Sequence, residues 1–197
     1  MFQKYNIGSL VTEMFIERTS PEYCRIERKR FGSFRHELKS TVIKSHFFDG
    51  YFDKARLSDT DLAYIVQGYS PVRTGSSGKE HQMFTIHHIK PLVCGGETKP
   101  SNLIPIPRSF HDFLHEKIFD PQMAGLDIGS KKTLVCVPDF SKITLEMMMD
   151  PSFRIQYHKY AVDVCGIIPH KIIKSKHKNI RKASFNNWYQ NNFGNMK

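Results

Sequence analysis

The sequence predicts an α+β fold, with a small strand–loop–strand–helix centre embedded among helices. Three observations carry that expectation. The stretch 84–118, FTIHHIKPLVCGGETKPSNLIPIPRSFHDFLHEKI, opens β-rich, turns through Gly95-Gly96, resumes an apolar run after Asn102 and closes on helical spacing. The regions on either side repeat their apolar residues at helical intervals. A stretch of about 35 residues cannot bury an adequate core alone, so the flanks must supply it.

A chain of 197 residues fits one compact domain plus an arm. The divisions read from sequence are a helical N-terminal region at 1–57 (a possible partner contact), the histidine-bearing core at 58–125, a packing extension at 126–165 and a basic C-terminal arm at 166–197. With 40% hydrophobic residues, 15 Phe and 8 Tyr, the chain can build a core and is not generically disordered. The net charge of +10 points to a polyanionic partner. Cys24, Cys94, Cys136 and Cys165 lie far apart without a CxxC pair, which argues for free thiols in a reducing compartment. Thr12 and Glu13 interrupt the N-terminal apolar residues, and no run approaches a membrane span. A cytoplasmic location is the default expectation; delivery into another cell by a signal-independent route would leave no trace in the sequence.

Residues 1–57 read as mostly helical. Leu10, Val11, Met14 and Phe15 fall at helical spacing after Ser9, a candidate N-cap. Ser20-Pro21-Glu22 is a second start, a cap followed by proline. Phe34, Leu38 and Val42 lie four apart on one face. The cluster Arg25-Ile26-Glu27-Arg28-Lys29-Arg30 reads as a solvated helix face in preference to a phosphate contact. Ser58-Asp59-Thr60-Asp61 approximates a capping box for a helix that buries Leu62, Ile65 and Val66 and stops at Gly68 and Pro71. The segment 74–78, TGSSG, is a flexible loop by composition. Beyond the histidines, Pro121 and Gly125 end a helix, 133–137 reads as a strand, and Asp150-Pro151 opens a helix. The last of these carries an apolar stripe of Phe153, Tyr157, Tyr160, Ala161 and Val164.

The chemistry concentrates in the histidines. Ser109 with Asp112 forms a capping pair, and Pro107 is an alternative first-turn residue. Either start puts His111 near the first turn and His115 one turn later. Side chains at i and i+4 stand about 5–6 Å apart at Cβ, so both imidazoles can converge on one metal ion. The positive end of the helix keeps His111 neutral and would also favour a phosphate. Phe110, Phe113, Leu114 and Ile118 can anchor this helix in the core.

Neighbours on a strand point to opposite faces, so His87 and His88 divide their tasks: one can be a ligand while the other addresses something nearby. That division suits phosphodiester hydrolysis, in which a metal polarises the phosphoryl oxygen and a free histidine deprotonates water. Gly95-Gly96 permits a tight loop, and Asn102 can hydrogen-bond loop backbone to fix the second histidine. Structural zinc usually recruits cysteine and closes all four positions; three histidines with an open position are the catalytic pattern. Cys94 reads as a buried bystander. An all-imidazole set suits zinc or nickel better than magnesium.

In order and spacing, HHIKP, the Gly95-Gly96 pair, Asn102 and the H-x-x-x-H of His111 and His115 resemble the HNH motif, the ββα-metal nuclease core. They look most like the version in colicin- and pyocin-type bacterial DNases. The resemblance covers 84–118. It implies a small ββα-metal HNH core in which His87, His111 and His115 bind one divalent metal ion, His88 is the general base and Asn102 organises the loop. It further implies a metal-dependent endonuclease acting on DNA and tolerating several ions, among them Zn, Ni, Mn and Mg. Lys90 and Arg108 are candidate phosphate contacts. Where the colicin-type motif has an acid two residues before the first histidine, this chain has Thr85, so a supporting carboxylate must come from elsewhere. The settings considered are an antibacterial toxin with an immunity protein, and a defence or restriction effector with a sensor or ATPase subunit. The rival is a non-catalytic nucleic-acid-binding protein that keeps the HNH scaffold as a metal-stabilised platform.

Residues 166–197 contain no Asp or Glu. Lys171, Lys174, Lys176, Lys178, Arg181 and Lys182 precede Phe185, Trp188, Tyr189 and Phe193, a combination that can track phosphates and stack on bases. Deleting 166–197 is expected to weaken DNA binding and flatten its salt dependence in titrations at several ionic strengths. An unaltered salt slope would show that the arm holds no phosphates.

Overall fold

The computed structural model describes residues 4–33, 40–45, 58–74 and 80–168, of which 32–33, 72–74 and 80–82 are described by backbone alone. Phe34, Leu38, the 75–78 part of the composition-read loop and the basic arm with Lys171 to Lys182 lie outside the described residues. In chain order the elements are β1 (Val11–Glu17), α1 (Pro21–Ser33), α2 (Asp59–Val66), β2 (Val72–Thr74), β3 (Glu80–Gln82), β4 (Phe84–His88) and β5 (Leu103–Pro107). They continue with a long helix α3, β6 (Lys131–Pro138), α4 (Leu145–Met149) and α5 (Pro151–Asp163). Helix α3 runs through Arg108–Phe113, a π-helical segment Leu114–Phe119 and Asp120–Met123. Among the described residues, β1 pairs with β6, β2 with β3 and β4 with β5, all antiparallel. The class is α+β, as the sequence predicts.

The helix expected over 10–15 does not form. Ile7–Leu10 is a 3-10 turn and Val11–Glu17 is a strand. Val11, Thr12 and Ile16 are β-branched, and the strand finds a partner more than a hundred residues away in β6, with Glu17 opposite Lys131. Pairing decides such short apolar runs, and local spacing does not. Helix α1 begins where expected: the Ser20 hydroxyl accepts from the Tyr23 N–H. Helix α2 has a full capping box between Ser58 and Asp61. Its Ile65 is fully buried, but Val66 is exposed, so the buried face is narrower than the sequence implied.

Two features of α3 differ from expectation. The helix starts directly after Pro107 with no side-chain cap, so Ser109 does not cap it. Pro121 does not end it either; the helix runs to Met123 and leaves through Gly125 at φ 74°. Proline lacks an N–H and crowds the carbonyl four residues back. Here the turns ahead of Pro121 are widened to π geometry, and the Gln122 side chain donates to the Ile118 carbonyl at 2.9 Å. Phe110, Leu114 and Ile118 follow one another at intervals of four and are fully buried. They pack in one core with Phe84, Ile104 and Ile106 of the β4–β5 hairpin, Leu134 of β6, and Phe153, Tyr157 and Ala161 of α5. Val164 is exposed and lies off the α5 stripe.

The pairing of β6 is broken by a bulge. Thr12 faces Val137 and Met14 faces Leu134, so β6 has one residue too many between them, and Cys136 adopts φ 55°. A bulge leaves ladder groups unpaired, and buried ones need other partners. Gln122 supplies them: its Oε1 accepts from Val135 N–H at 2.8 Å and its Nε2 donates to the Val135 carbonyl at 2.9 Å. The Tyr157 hydroxyl donates to the Cys136 carbonyl at 2.8 Å. One buried glutamine therefore binds α3, the helix that bears the histidines, to the β1–β6 sheet. Ile167 is also buried, and its N–H donates to the Ala161 carbonyl, so an arm deletion that spares the core starts at Pro169.

Replacing Gln122 by Ala removes the side-chain partner of one buried and two half-buried backbone groups and is expected to cost about 2–3 kcal/mol in urea unfolding. A loss below about 0.5 kcal/mol would show that the bulge is held by something else.

Candidate metal centre

The site is built on the β4–β5 hairpin and α3. In the hairpin His87 faces Ile104 and His88 faces Leu103 across the ladder. Alternation along β4 sends the two imidazoles to different surroundings. His87 is 2% exposed, with its ring 5.8 Å from that of Phe119 and 5.9 Å from that of Phe140. Its neighbours on the other side are His111 and His115, each 5.4 Å away between ring centroids, with 4.6 Å between the latter two. Each of the three offers a ring nitrogen, and these atoms lie within 4.8 Å of one another.

Both ring nitrogens of His87 are buried without a hydrogen-bond partner. Burying a polar group unpaired costs roughly 1–3 kcal/mol, so the arrangement calls for something to bind. Burial, and then the neighbouring His115 and His111, push the His87 pKa well below its ordinary value, leaving the neutral form that can ligate. Burial also lowers His111, against the pull of Asp112. The Asp112 carboxylate lies 3.0 Å from His111 Nδ1, and that of Asp120 lies 3.8 Å from His115 Nδ1. With a carboxylate at Nδ1, the Nε2 lone pair of His111 is left for a metal, the usual arrangement of a ligating histidine. Both carboxylates come from α3 itself, not from the strand that carries Thr85. The donor set fits a divalent ion.

The loop between the strands is fixed by Asn102, which is buried. Its Oδ1 accepts from Lys90 N–H at 2.8 Å, and its Nδ2 donates to the carbonyls of Lys90 and Glu97 at 3.0 and 2.9 Å. Gly96 comes so close to the chain that a Cβ would sit 1.8 Å from the Lys90 carbonyl oxygen, so no other residue fits there. Gly95 turns the loop at φ 85°. Cys94 is fully buried against Met123, and burial pushes its thiol up to about 11, the inert bystander expected.

His88 is half-buried. Its Nε2 lies 3.2 Å from the Thr98 hydroxyl, and its ring lies 5.8 Å from that of Phe31. Burial pushes its pKa down to about 4, against the opposing pull of Glu27. A cleft of about 220 Å³ joins the histidines: His87, His88, His111 and His115 line it, with Ile86, Pro91, Leu92, Val93 and Arg28. From sequence, Arg28 sits on a solvated face; the fold brings α1 across the loop and Arg28 to the cleft. The spacing in the chain held no signal for this. Glu27, beside it, is 4% exposed and pairs with Arg30 at 2.8 Å and with the Thr98 N–H at 2.6 Å. Thr98 was equally silent, a polar loop residue in a run of polar loop residues.

Among the described residues, the candidate phosphate contacts Lys90 and Arg108 lie outside the cleft lining. The Lys90 ammonium leans toward Gly95, and Arg108 is exposed with its guanidinium 3.9 Å from Asp112.

A family model described as HNH endonuclease matches residues 75–116. The match takes in β4, the Asn102 loop, β5 and the first turns of α3, less than a quarter of the chain. The fold is thus α+β with an HNH core set among helices, and that family suggests nuclease-type activity with a divalent metal. No curated protein and no solved structure gives a significant match. No helix among the described residues is long and apolar enough to cross a membrane.

Proposed function

We propose that this chain is a metal-dependent HNH endonuclease that hydrolyses phosphodiester bonds in DNA. One observation carries the reading: a buried imidazole with both nitrogens unpartnered meets two further imidazoles at the wall of a cleft that a fourth histidine also lines. His87, His111 and His115 would hold the ion. A bound divalent ion supplies Lewis acidity there, polarising a phosphoryl oxygen and stabilising charge on the leaving oxygen.

The chain's own groups do the rest. His88 has no place in the three-histidine cluster, is neutral at physiological pH, and serves as the general base that takes a proton from water. Arg28 offers a guanidinium to the phosphate at the same cleft. Ile86, Pro91, Leu92 and Val93 restrict water around the reacting atoms. Asn102 holds the loop that spaces these groups. The cleft falls below the roughly 300–1,000 Å³ of sites that enclose a small molecule, which favours a substrate engaged along its backbone. The net charge of +10 and the acid-free arm support a nucleic acid as that substrate.

The motif spacing resembles that of colicin- and pyocin-type DNases, and the biological setting proposed with it is an antibacterial toxin or a defence-system effector. In either, a dedicated partner (an immunity protein, or a sensor or ATPase subunit) would restrain the nuclease.

In nicking of supercoiled plasmid with Mg, Mn, Ni or Zn, His88→Ala is expected to lose activity by roughly 10²–10⁴-fold while keeping its fold and its metal. Unchanged nicking by that variant would remove His88 as the base. DNA binding by the wild-type chain without cleavage in any metal would favour the non-catalytic platform instead.

A further inference from the structure

The stretch that matches the family model, 75–116, does not include α1, yet α1 is bound to the loop beside His88. The Thr98 hydroxyl stands between the two: 3.2 Å from His88 Nε2 on one side and 3.2 Å from the Glu27 backbone carbonyl on the other. Thr98 is also held from its backbone, because its N–H donates to the Glu27 carboxylate at 2.6 Å. Thr98 is 7% exposed and Glu27 4%, so water does not compete freely for these bonds.

A hydroxyl has a single proton. The Glu27 carbonyl can only accept, so that proton goes to it, and the hydroxyl then has only lone pairs for His88. His88 Nε2 must therefore bear hydrogen and donate. We infer that Thr98, braced by Glu27 of α1, is a positioning residue that holds His88 in its Nε2–H tautomer, leaving the unprotonated Nδ1 to act as the base. This rests on the nuclease reading for its consequence in catalysis, but the tautomer itself does not. Phe31, with its ring 5.8 Å from that of His88, belongs to the same helix and limits the orientation of the imidazole.

The inference assigns to 1–57 a task other than partner contact: α1 completes the site. It also explains why a charged residue is buried at position 27 of an otherwise exposed basic cluster. Glu27 needs the Thr98 amide and Arg30 to be stable there, and in return it fixes the loop.

The test uses full-length protein labelled with ¹⁵N-histidine, read by long-range ¹H–¹⁵N imidazole correlations with His88→Ala to assign the signal. Wild-type His88 should show the Nε2–H tautomer with and without metal. Thr98→Val, which keeps the shape and loses the hydroxyl, should lose that preference and lower kcat by roughly 10–100-fold with little change in KM. Thr98→Ser should restore both. An Nδ1–H tautomer in the wild type, or Thr98→Val with wild-type tautomer and wild-type kcat, would overturn the inference. Should the wild type fail to cut DNA at all, the tautomer measurements alone decide it, and the failure falls on the nuclease reading.

Discussion

The structure turns on one buried side chain with nothing to bond to. His87 sits in the middle of a protein interior with both ring nitrogens unpartnered, and among the described residues only His158 has a third such buried side-chain atom. A chain does not keep an imidazole there for stability, since an apolar residue of similar shape would serve better. What compensates is convergence: the register of β4 against β5 places His87 on the core side, and the stride of α3 brings His111 and His115 to meet it. An ion bound by all three would join the hairpin to the helix and take the lone pair of one of the two buried His87 nitrogens.

The second constraint is the loop that separates the two strands. It must hold His88 on the far face of β4 without letting it collapse onto the cluster. Asn102 binds the loop at both ends, and Gly96 allows the backbone to close to a distance that any side chain would prevent. The outer side is then fastened by the N-terminal region: Tyr23 donates to the Gly96 carbonyl, Thr19 to the Leu92 carbonyl, and Thr98 to Glu27. The helix that looked peripheral in the sequence is thus part of the wall of the site. On the opposite side, Gln122 fastens α3 to the bulge in β6. The HNH core is positioned by elements outside the family match.

Much of the centre was legible because its signals are local. Strand alternation separates His87 from His88, a four-residue stride pairs His111 with His115, and glycine and asparagine mark the loop. Each follows from neighbours in the chain. What could not be read depends on distant pairing. Val11–Glu17 became a strand because β6 lies beside it, against its helical spacing. Pro121 stayed inside its helix: the preceding turns widen to π geometry and the Gln122 side chain donates to the Ile118 carbonyl, neither of which the local sequence signals. Arg28, Glu27 and Thr98 carry no motif; only the docking of α1 on the loop gives them their places. The carboxylates beside the cluster are Asp112, adjacent to His111 in sequence, and Asp120, five residues past His115 across the π turn.

A site for one divalent ion at His87, His111 and His115 can be read by calorimetric titration of metal-stripped full-length protein with Zn(II) or Ni(II). The account predicts one ion bound per chain, with affinity reduced by more than about a hundredfold when His87 is replaced by Leu, while the metal-free variant is at least as stable as the metal-free wild type. Absence of binding, or binding that His87→Leu leaves intact, would contradict it.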